Sequence, residues 1–389
     1  MRKKKKKTAF GLSIAAGLGV LASVLTFQMY HEAQAKEPVV SVKTLKPHIE
    51  RNVDVSGKSF TEKITLGAIG DILIHDTVYE DAYVQSGYDF KPMISNVKDF
   101  LLEPDLLLAN QETILGGVEI GLSSYPMFNS PIEVGDALLD AGVDIVSNAN
   151  NHSLDKSVRG VMTSISNMEA AGLPYVGSFK DEADKDKLRI LNKNGIEVSY
   201  LSYTYGTNGI PVPIGKDYLV NLIDRELMKA EIHRAKADSD LVVMSIHWGN
   251  EYQRFPTNEQ KELAQFLVDE GVDIIFGHHP HVLQPMDWVT AADGRKALVV
   301  YSLGNFLSGQ MWDYKDIGGL ATVEVTKQIS PEGTEISLEN PGFLPTFVSS
   351  SRQRNYRVVP LRDAGRFGLA DAENKYNEIM NHMTQFIKE

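Results

Sequence analysis

Short apolar runs rich in β-branched residues recur along the chain, and each is followed at once by a polar cluster. Runs of this length and composition predict buried β-strands. Amphipathic segments between several of these runs predict helices, so the pattern indicates an α/β fold. The predicted strands of this kind lie at residues 63–69, 105–109, 143–147, 241–246, 272–276 and 297–301.

Two of the predicted helices have similar start and stop signals. Ser130-Pro131-Ile132-Glu133 is typical of a capping box with proline in the first turn, and this helix is predicted to reach Ala141 and end at Gly142. Thr257-Asn258-Glu259-Gln260 predicts a second capping box, for a helix that ends at Gly271. A predicted strand and a histidine-containing cluster follow each helix.

The pattern changes after residue 320 to that of antiparallel strands, which are predicted at 321–326, 335–338, 346–349 and 356–361. The segment 362–389 is interpreted as a C-terminal helical segment, with the helix itself at about 370–387. Residues 36–62 are polar with scattered valines and are interpreted as a linker. Because no Gly-, Pro- or Ser-rich stretch divides 63–361, that range is predicted to be one domain.

The N-terminus has the pattern of an export signal or a membrane anchor. Arg2 to Lys7 are basic, the 23 residues from Thr8 to Tyr30 carry no charge, and Ala33-Gln34-Ala35 offers a small-x-small cleavage site. An apolar helix needs about 20 residues to span a bilayer. Residues 1–35 are therefore predicted to be either a cleaved signal peptide or a retained apolar anchor helix. Since basic flanks stay in the cytoplasm, residues 36–389 are expected on the extracytoplasmic face of the membrane.

Charge and cysteine content exclude several functions. The chain has a net charge of −12, and six bases against one acid in residues 1–35 leave −17 on the rest. A protein this acidic repels phosphate groups, so nucleic acid is not an expected partner. The absence of cysteine excludes disulfides, thiolate catalysis and a cysteine zinc site.

The polar clusters contain the residues best suited to chemistry. Loops at the carboxyl ends of strands meet at one edge of an α/β sheet, where sites are built. Carboxylate, amide and imidazole donors suit two divalent ions of Mn, Fe or Zn better than Ca²⁺, and Asp71 or Glu112 is a candidate to bridge them. The candidate metal ligands are Asp71, Glu112, Asn151, His247, His279 and His281.

Each of these residues taken alone has an ordinary alternative, since a polar residue after a strand commonly caps a turn. The number of histidines favours a shared polar site over that alternative. Six of the ten histidines lie in the post-strand clusters, namely His75, His152, His247, His278, His279 and His281.

Taken together, the clusters resemble the motifs of the CapA family, which is associated with bacterial poly-γ-glutamate capsule synthesis. The resemblance covers residues 63–310, and the basic and apolar N-terminus resembles that of membrane-attached CapA (PgsA) subunits. The motifs, in the order of the family, are Gly70-Asp71-Ile72, Asn110-Gln111-Glu112, Asn148-Ala149-Asn150-Asn151-His152 with Asp155, His247-Trp248-Gly249-Asn250-Glu251, Gly277-His278-His279-Pro280-His281 and Tyr301-Ser302-Leu303-Gly304-Asn305-Phe306.

That family in turn resembles the calcineurin-like metallophosphoesterases, which implies a four-layer α/β/β/α sandwich with a two-metal centre. By position, the resemblance makes Glu112 the bridging ligand and His152 a proton donor, which Asp155 would orient. Two departures from the pattern are visible. Leu73 stands where a histidine ligand is expected, and Glu112 stands where the pattern has an aspartate.

The resemblance implies an extracytoplasmic, membrane-attached component of poly-γ-glutamate synthesis or export, with other synthase subunits and the anionic polymer as partners. If the protein is an enzyme, metal-assisted hydrolysis or transfer is the expected chemistry. Two alternatives stay open: a non-enzymatic accessory subunit that holds the polymer, and a metallophosphoesterase that acts on cell-envelope phosphoesters.

Overall fold

The computed structural model describes residues 58–387. Gly57–Glu389 forms one compact unit, in which the first strand begins at Phe60. The predicted signal or anchor helix of residues 1–35 lies outside the described residues, as does most of the predicted linker. Between residues 58 and 387, no helix has both the length and the apolar character that a membrane span requires.

Two large sheets form the centre of the unit. The eight-stranded sheet consists, in spatial order, of β16 (Arg357–Pro360), β15 (Gly333–Ser349), β14 (Ile317–Ser330), β1 (Phe60–Leu73), β4 (Leu106–Gln111), β5 (Ile145–Ser147) and β6 (Tyr175–Val176), with β13 (Asn305–Ser308) also paired to β1. The six-stranded sheet consists of β11 (Leu283–Thr290), β12 (Lys296–Leu303), β10 (Ile274–His278), β9 (Leu241–His247), β8 (Ile196–Thr204) and β7 (Arg189–Lys193). A separate hairpin contains β2 (Tyr83–Val84) and β3 (Gly87–Tyr88).

Helices connect most of these strands. The α-helices of the described residues are Asp76–Ala82, Lys91–Ile94, Lys98–Leu101, Glu133–Asp140, Ser157–Ala171, Glu182–Lys185, Arg225–Asp238, Asn258–Glu270 and Ala372–Thr384. Shorter 3₁₀ turns cover Val118–Ile120, Asp217–Leu219 and Leu361–Phe367.

Three hydrophobic cores separate four layers. One core lies between the helices of the first half and the eight-stranded sheet, a second between the two sheets, and a third between the six-stranded sheet and helices Arg225–Asp238 and Asn258–Glu270. Strand alternation explains how one strand serves two cores, since Val242 packs into the third core and Val243 into the second. The predicted four-layer α/β/β/α sandwich is therefore confirmed.

The strands that carry the polar clusters run parallel to one another within each sheet. β1 is parallel to β4, β4 to β5, β8 to β9, and β9 to β10. β1 lies inside its sheet, and its other long neighbour, β14, is antiparallel to it. This arrangement places the ends of β1, β4 and β5 along one edge of the sheet.

Of the two predicted capping boxes, one is confirmed and one is wrong. The hydroxyl of Thr257 accepts a hydrogen bond from the Gln260 N–H while the Gln260 side chain accepts one from the Thr257 N–H. The other helix begins at Glu133, after the predicted cap. Ile132 occupies the N-cap position without a side-chain cap, and the Ser130 hydroxyl donates to Thr113 Oγ1 at 2.6 Å.

The C-terminal part is more continuous than its pattern predicts. The strands predicted at 335–338 and 346–349 are one strand, β15, which pairs with β14 along most of its length. The last helix, Ala372–Thr384, is shorter than predicted, and its residues Ile379 and Met383 pack into the core between the sheets.

Candidate metal centre

The fold brings together all the residues that the sequence proposes as metal ligands. Three come from the eight-stranded sheet and three from the six-stranded sheet, and each lies within or just after the carboxyl-terminal end of a strand. Every one is buried. They are Asp71 in β1, Glu112 after β4, Asn151 after β5, His247 in β9, and His279 and His281 after β10.

Five of these residues form two groups of three with one shared member. Ligand atoms of Glu112, His247 and His279 lie within 4.8 Å of one another, and so do those of Asp71, Glu112 and His281. Glu112 belongs to both groups. A carboxylate between two sets of donors is the arrangement that a bridged pair of metal ions needs.

Individual distances define the centre more closely. His281 Nδ1 lies 3.1 Å from Asp71 Oδ2, and His281 Nε2 lies 3.7 Å from Glu112 Oε1. On the other side, His247 Nε2 lies 3.5 Å from the same Glu112 oxygen and 2.9 Å from Asn151 Oδ1. Asn151 therefore joins the first group as a fourth donor.

The hydrogen bonding of these atoms tests whether a metal fits. Both carboxylate oxygens of Glu112 are buried without a hydrogen-bond partner among residues 58–387, as are Nδ1 of His247 and Nδ1 of His279. Burying unpaired polar atoms costs free energy, so native structures seldom leave several together. Oxygen and imidazole donors are ligands of Mn, Fe and Zn ions. The residues present therefore fit a divalent metal site.

Burial dominates the electrostatics of the centre. Burial raises the pKa of Glu112 well above its ordinary value, and the nearby negative charge of Asp71 raises it further. Burial lowers the pKa of His247, and it lowers the pKa of His279 to about 3. These imidazoles are therefore neutral at physiological pH, which is the state that binds a metal.

Asp71 is held in its charged form. Burial alone would raise the pKa of this carboxyl group, but the neighbouring imidazoles of His278 and His281 outweigh burial and lower it well below the ordinary value. Asn110 Nδ2 donates to Asp71 Oδ1 at 2.8 Å, and His281 Nδ1 lies 3.1 Å from Oδ2. Asp71 is thus fixed in orientation by hydrogen bonds with Asn110 and His281.

The two residues proposed for catalysis form a buried pair beside the centre. Nδ1 of His152 lies 2.7 Å from Oδ2 of Asp155, and both side chains are buried. The edge of the Phe128 ring packs against the imidazole at a centroid distance of 4.7 Å. The pair has the geometry of a histidine oriented by a carboxylate.

Two residues near the centre were missed as candidate ligands. His278 Nδ1 lies 3.4 Å from Asp71 Oδ1, and both of its ring nitrogens lack hydrogen-bond partners within the described range. Glu251 forms a third group with His279 and His281, and it is the exposed member of that group. Both residues stood within the quoted motifs, so their positions in those clusters were the available signal.

The loop after β10 has an unusual backbone. His279 and His281 have φ values of 96° and 57°, which are uncommon for residues other than glycine. At Gly277 a Cβ atom would lie 2.1 Å from the Tyr301 carbonyl oxygen. Close packing before the loop and left-handed residues within it set the directions of the two imidazoles.

Solved structures to which the chain is similar include a calcineurin-like phosphoesterase, YfkN, from Bacillus subtilis. It is 14% identical with a TM-score of 0.44, and the match covers 85% of this chain and 100% of that one. The NAD nucleotidase NadN of Haemophilus influenzae is 12% identical with a TM-score of 0.44, and the match covers 83% of this chain and 57% of that one.

Relatives found by sequence have a higher identity to this chain than these structures do. A capsule biosynthesis protein CapA of Bacillus anthracis is 30% identical over 338 residues, which cover 82% of this chain and 79% of that protein. A PGA biosynthesis protein CapA of Bacillus subtilis is 34% identical over 177 residues, 45% of each chain. A probable polyglutamine synthesis accessory protein of Mycobacterium tuberculosis is 24% identical and covers 52% of this chain and 55% of its own length.

The family model described as bacterial capsule synthesis protein PGA_cap matches residues 65–310. That range contains the whole donor cluster, from Asp71 to His281, and the His152–Asp155 pair. The chain therefore belongs to the PGA_cap family of bacterial capsule synthesis proteins.

Proposed function

We propose that this protein acts in the synthesis or export of poly-γ-glutamate and that it does so through a centre of two divalent metal ions. The proposal of a metal centre rests on the position of Glu112, a buried carboxylate that belongs to two donor groups. The CapA relatives from two Bacillus species are named for capsule and PGA biosynthesis, which supports poly-γ-glutamate as the polymer. Mn, Fe and Zn ions all suit the donor set.

The residues of the centre would have separate roles in holding metal ions and in proton transfer. Asp71, Glu112 and His281 would hold one ion, while Glu112, Asn151, His247 and His279 would hold the other. Bound divalent ions supply Lewis acidity and activate water. His152, oriented by Asp155, would donate a proton to a leaving group.

We further propose that the folded unit faces the extracytoplasmic side of the cell membrane and works with other subunits of a polymer synthase. The basic and apolar N-terminus supports this location. The charge of −17 on the rest of the chain repels an anionic polymer, so contact with polymer would pass through bound cations.

A fusion of alkaline phosphatase after Gly57 tests the location, because that enzyme becomes active only outside the cytoplasm. We expect an active fusion, alongside a cytoplasmic control fusion that stays inactive. An inactive fusion that is present in normal amount would contradict the proposed orientation.

The variant Glu112→Gln tests the metal-dependent function, since it keeps the side-chain volume but removes the shared carboxylate. We expect it to lose bound metal and to lower polymer yield in cells that contain the complete synthase. Glu119→Gln is the matched control, because Glu119 is exposed and belongs to none of the donor groups. Normal metal content and normal yield in Glu112→Gln would refute the proposal.

A second candidate function is a non-enzymatic accessory subunit. Leu73, where the related pattern has a histidine ligand, favours it because one ion then has fewer ligands. The name of the Mycobacterium tuberculosis relative also supports this candidate.

The variant His152→Ala separates the two functions. General acid catalysis contributes about 10²–10⁴-fold, so an enzyme should lose that factor in turnover while metal content and melting temperature stay unchanged. An accessory subunit has no need of a proton donor. Normal polymer yield with normal metal content would favour the accessory function.

A further inference from the structure

We propose that Glu251 is an additional metal ligand, on the solvent side of the centre, and that it compensates for the histidine missing at position 73. This inference rests on the metal centre of the proposed function. It concerns a residue that neither the sequence motifs nor the geometry of the two buried donor groups assigns to the site.

The first support is proximity. A carboxylate oxygen of Glu251 and ring nitrogens of His279 and His281 all lie within 4.8 Å of one another. The two imidazoles belong to different donor groups, so Glu251 lies beside both. Its negative charge also contributes to the raised pKa of Glu112, after burial and the charge of Asp71.

The second support is the way that Glu251 is held in place. The turn after β9 is hydrogen-bonded to the loop after β10 through the backbone. The Trp248 N–H donates to the His278 carbonyl at 3.1 Å, and the Tyr252 N–H donates to the Pro280 carbonyl at 2.7 Å. These bonds lie on both sides of Glu251 in sequence, so the main chain holds it next to the two histidines.

The turn after β9 and the loop after β10 both contain strained backbone. Tyr252 has a φ of 63°, and His279 and His281 also have positive φ values. Residues other than glycine adopt this region at a cost in free energy, and such strain clusters at functional sites. Gly249, with a φ of 81°, allows the turn to leave β9 in this direction.

The third support is an incomplete ligand set. Asp71, Glu112 and His281 give one ion three donors, whereas the related pattern adds a histidine two residues after the aspartate. Leu73 occupies that position, is buried, and has no donor atom. A fourth donor can then come from another side chain, and Glu251 is the further carboxylate grouped with His281 in the described part of the chain.

An exposed ligand has a chemical consequence. Glu251 reaches the centre from solvent, so it can leave an ion and return without disturbing the buried core. A catalytic metal centre needs a coordination position that water or an anionic group can occupy. Glu251 would leave such a position when an anionic substrate binds.

Isothermal titration of the metal-free, full-length protein in detergent with Mn²⁺ tests the inference. We expect Glu251→Gln to weaken binding at one of two sites by about 10–100-fold, the range seen when even outer-shell partners of a metal are removed. Glu262→Gln is the matched control, because Glu262 is exposed on the neighbouring helix Asn258–Glu270 and lies outside the donor groups. It should bind as the wild type does.

The variant Glu251→Asp separates ligation from simple charge, since it keeps the charge but shortens the side chain. We expect it to weaken the same site as Glu251→Gln. Wild-type affinity in Glu251→Asp, or in Glu251→Gln, would overturn the inference.

A failure of the proposed function can be distinguished from a failure of this inference about Glu251. If Glu112→Gln abolishes binding while Glu251→Gln binds normally, Glu251 is not a ligand and the metal centre stands. A wild-type protein that binds no Mn²⁺, Zn²⁺ or Fe²⁺ would overturn both proposals together.

Discussion

His152 and Asp155 are joined by a hydrogen bond of 2.7 Å between Nδ1 and Oδ2. The same carboxylate oxygen accepts a hydrogen bond from the Phe128 N–H at 2.6 Å, so the main chain fixes its position. A carboxylate held in this way keeps a proton on Nδ1 and leaves Nε2 to carry the proton that a general acid donates.

Replacing Asp155 by Asn should therefore lower function without removing metal. Because one oxygen of Asp155 accepts from both Phe128 and His152, the amide oxygen can take both hydrogen bonds, but the negative charge beside His152 is lost. We expect polymer yield to fall by more than about tenfold if His152 is a general acid. The measurement is polymer yield together with metal content, with the exposed Asp136→Asn as control. Unchanged yield would show that the pair is structural.

Removal of metal should lower the stability of the folded unit. A ligand that binds only the native state stabilises it by about 2.7 kcal/mol at a hundredfold excess over Kd. We expect a chelator to lower the melting temperature and added metal to restore it. The double variant His279→Ala with His281→Ala should bind no metal and show no such shift. A shift that persists in the double variant would refute its assignment as a ligand pair.

A methyl group at Gly277 should destabilise the protein. An added Cβ would lie 2.1 Å from the Tyr301 carbonyl oxygen and 2.6 Å from Trp248 Nε1, so β10 and its neighbours must move. Overpacking of this kind costs about 1–3 kcal/mol. The measurement is the free energy of unfolding of Gly277→Ala, together with metal affinity.

Gly135 offers a matched control for that substitution. It lies in helix Glu133–Asp140, and a Cβ there would meet only ordinary contacts at 3.5 and 3.6 Å. Gly135→Ala should be neutral or stabilise by up to about 1 kcal/mol, because alanine favours helix. Equal effects of the two substitutions would contradict the packing argument.

Acid should weaken the attachment of the last helix through Glu378. Burial raises the pKa of this carboxyl group, but hydrogen bonds from Lys375 and Tyr314 outweigh burial and lower it to about 2. The unfolded chain has a pKa of about 4.3 for glutamate. The stabilisation is therefore present above about pH 4.3 and is lost as pH falls towards 2.

Melting curves of the wild type and Glu378→Gln at several pH values test this dependence. The wild type should melt higher near neutral pH, and the difference should narrow below about pH 4. Glu373→Gln, on the exposed side of the same helix, is the control. A difference that stays constant with pH would mean that ionisation of Glu378 does not stabilise the fold.

The sequence was sufficient to predict which residues meet. Buried strands followed by polar residues require only local patterns, and the carboxyl ends of parallel strands meet at one edge. Asp71 and Glu112, at the ends of the neighbouring strands β1 and β4, could therefore be placed together from local patterns, whereas His281 meets them from the other sheet and was grouped with them through the family resemblance. Their proximity is confirmed by the two donor groups.

Other features depend on contacts that local patterns do not contain. Ser130 had the residue type of a helix cap, but the helix begins only at Glu133, and the Ser130 side chain contacts Thr113, seventeen positions earlier. Strand β7 is largely polar and was not predicted, since it is an edge strand with partial exposure. Glu251 was not proposed as a ligand, because the backbone bonds from Trp248 to His278 and from Tyr252 to Pro280 that bring it to the histidines cannot be read from a local pattern.

The site is also late to form. Asp71 and His281 are 210 positions apart in sequence, yet their side chains lie within 3.1 Å. β1, which carries Asp71, pairs with β14, so its place inside the sheet is complete only after residues up to Ser330 have been added. Such distant contacts slow folding. During synthesis the N-terminal half of the folded unit therefore cannot complete its sheet until the second half has been made, so the donor cluster is assembled only near the end of folding.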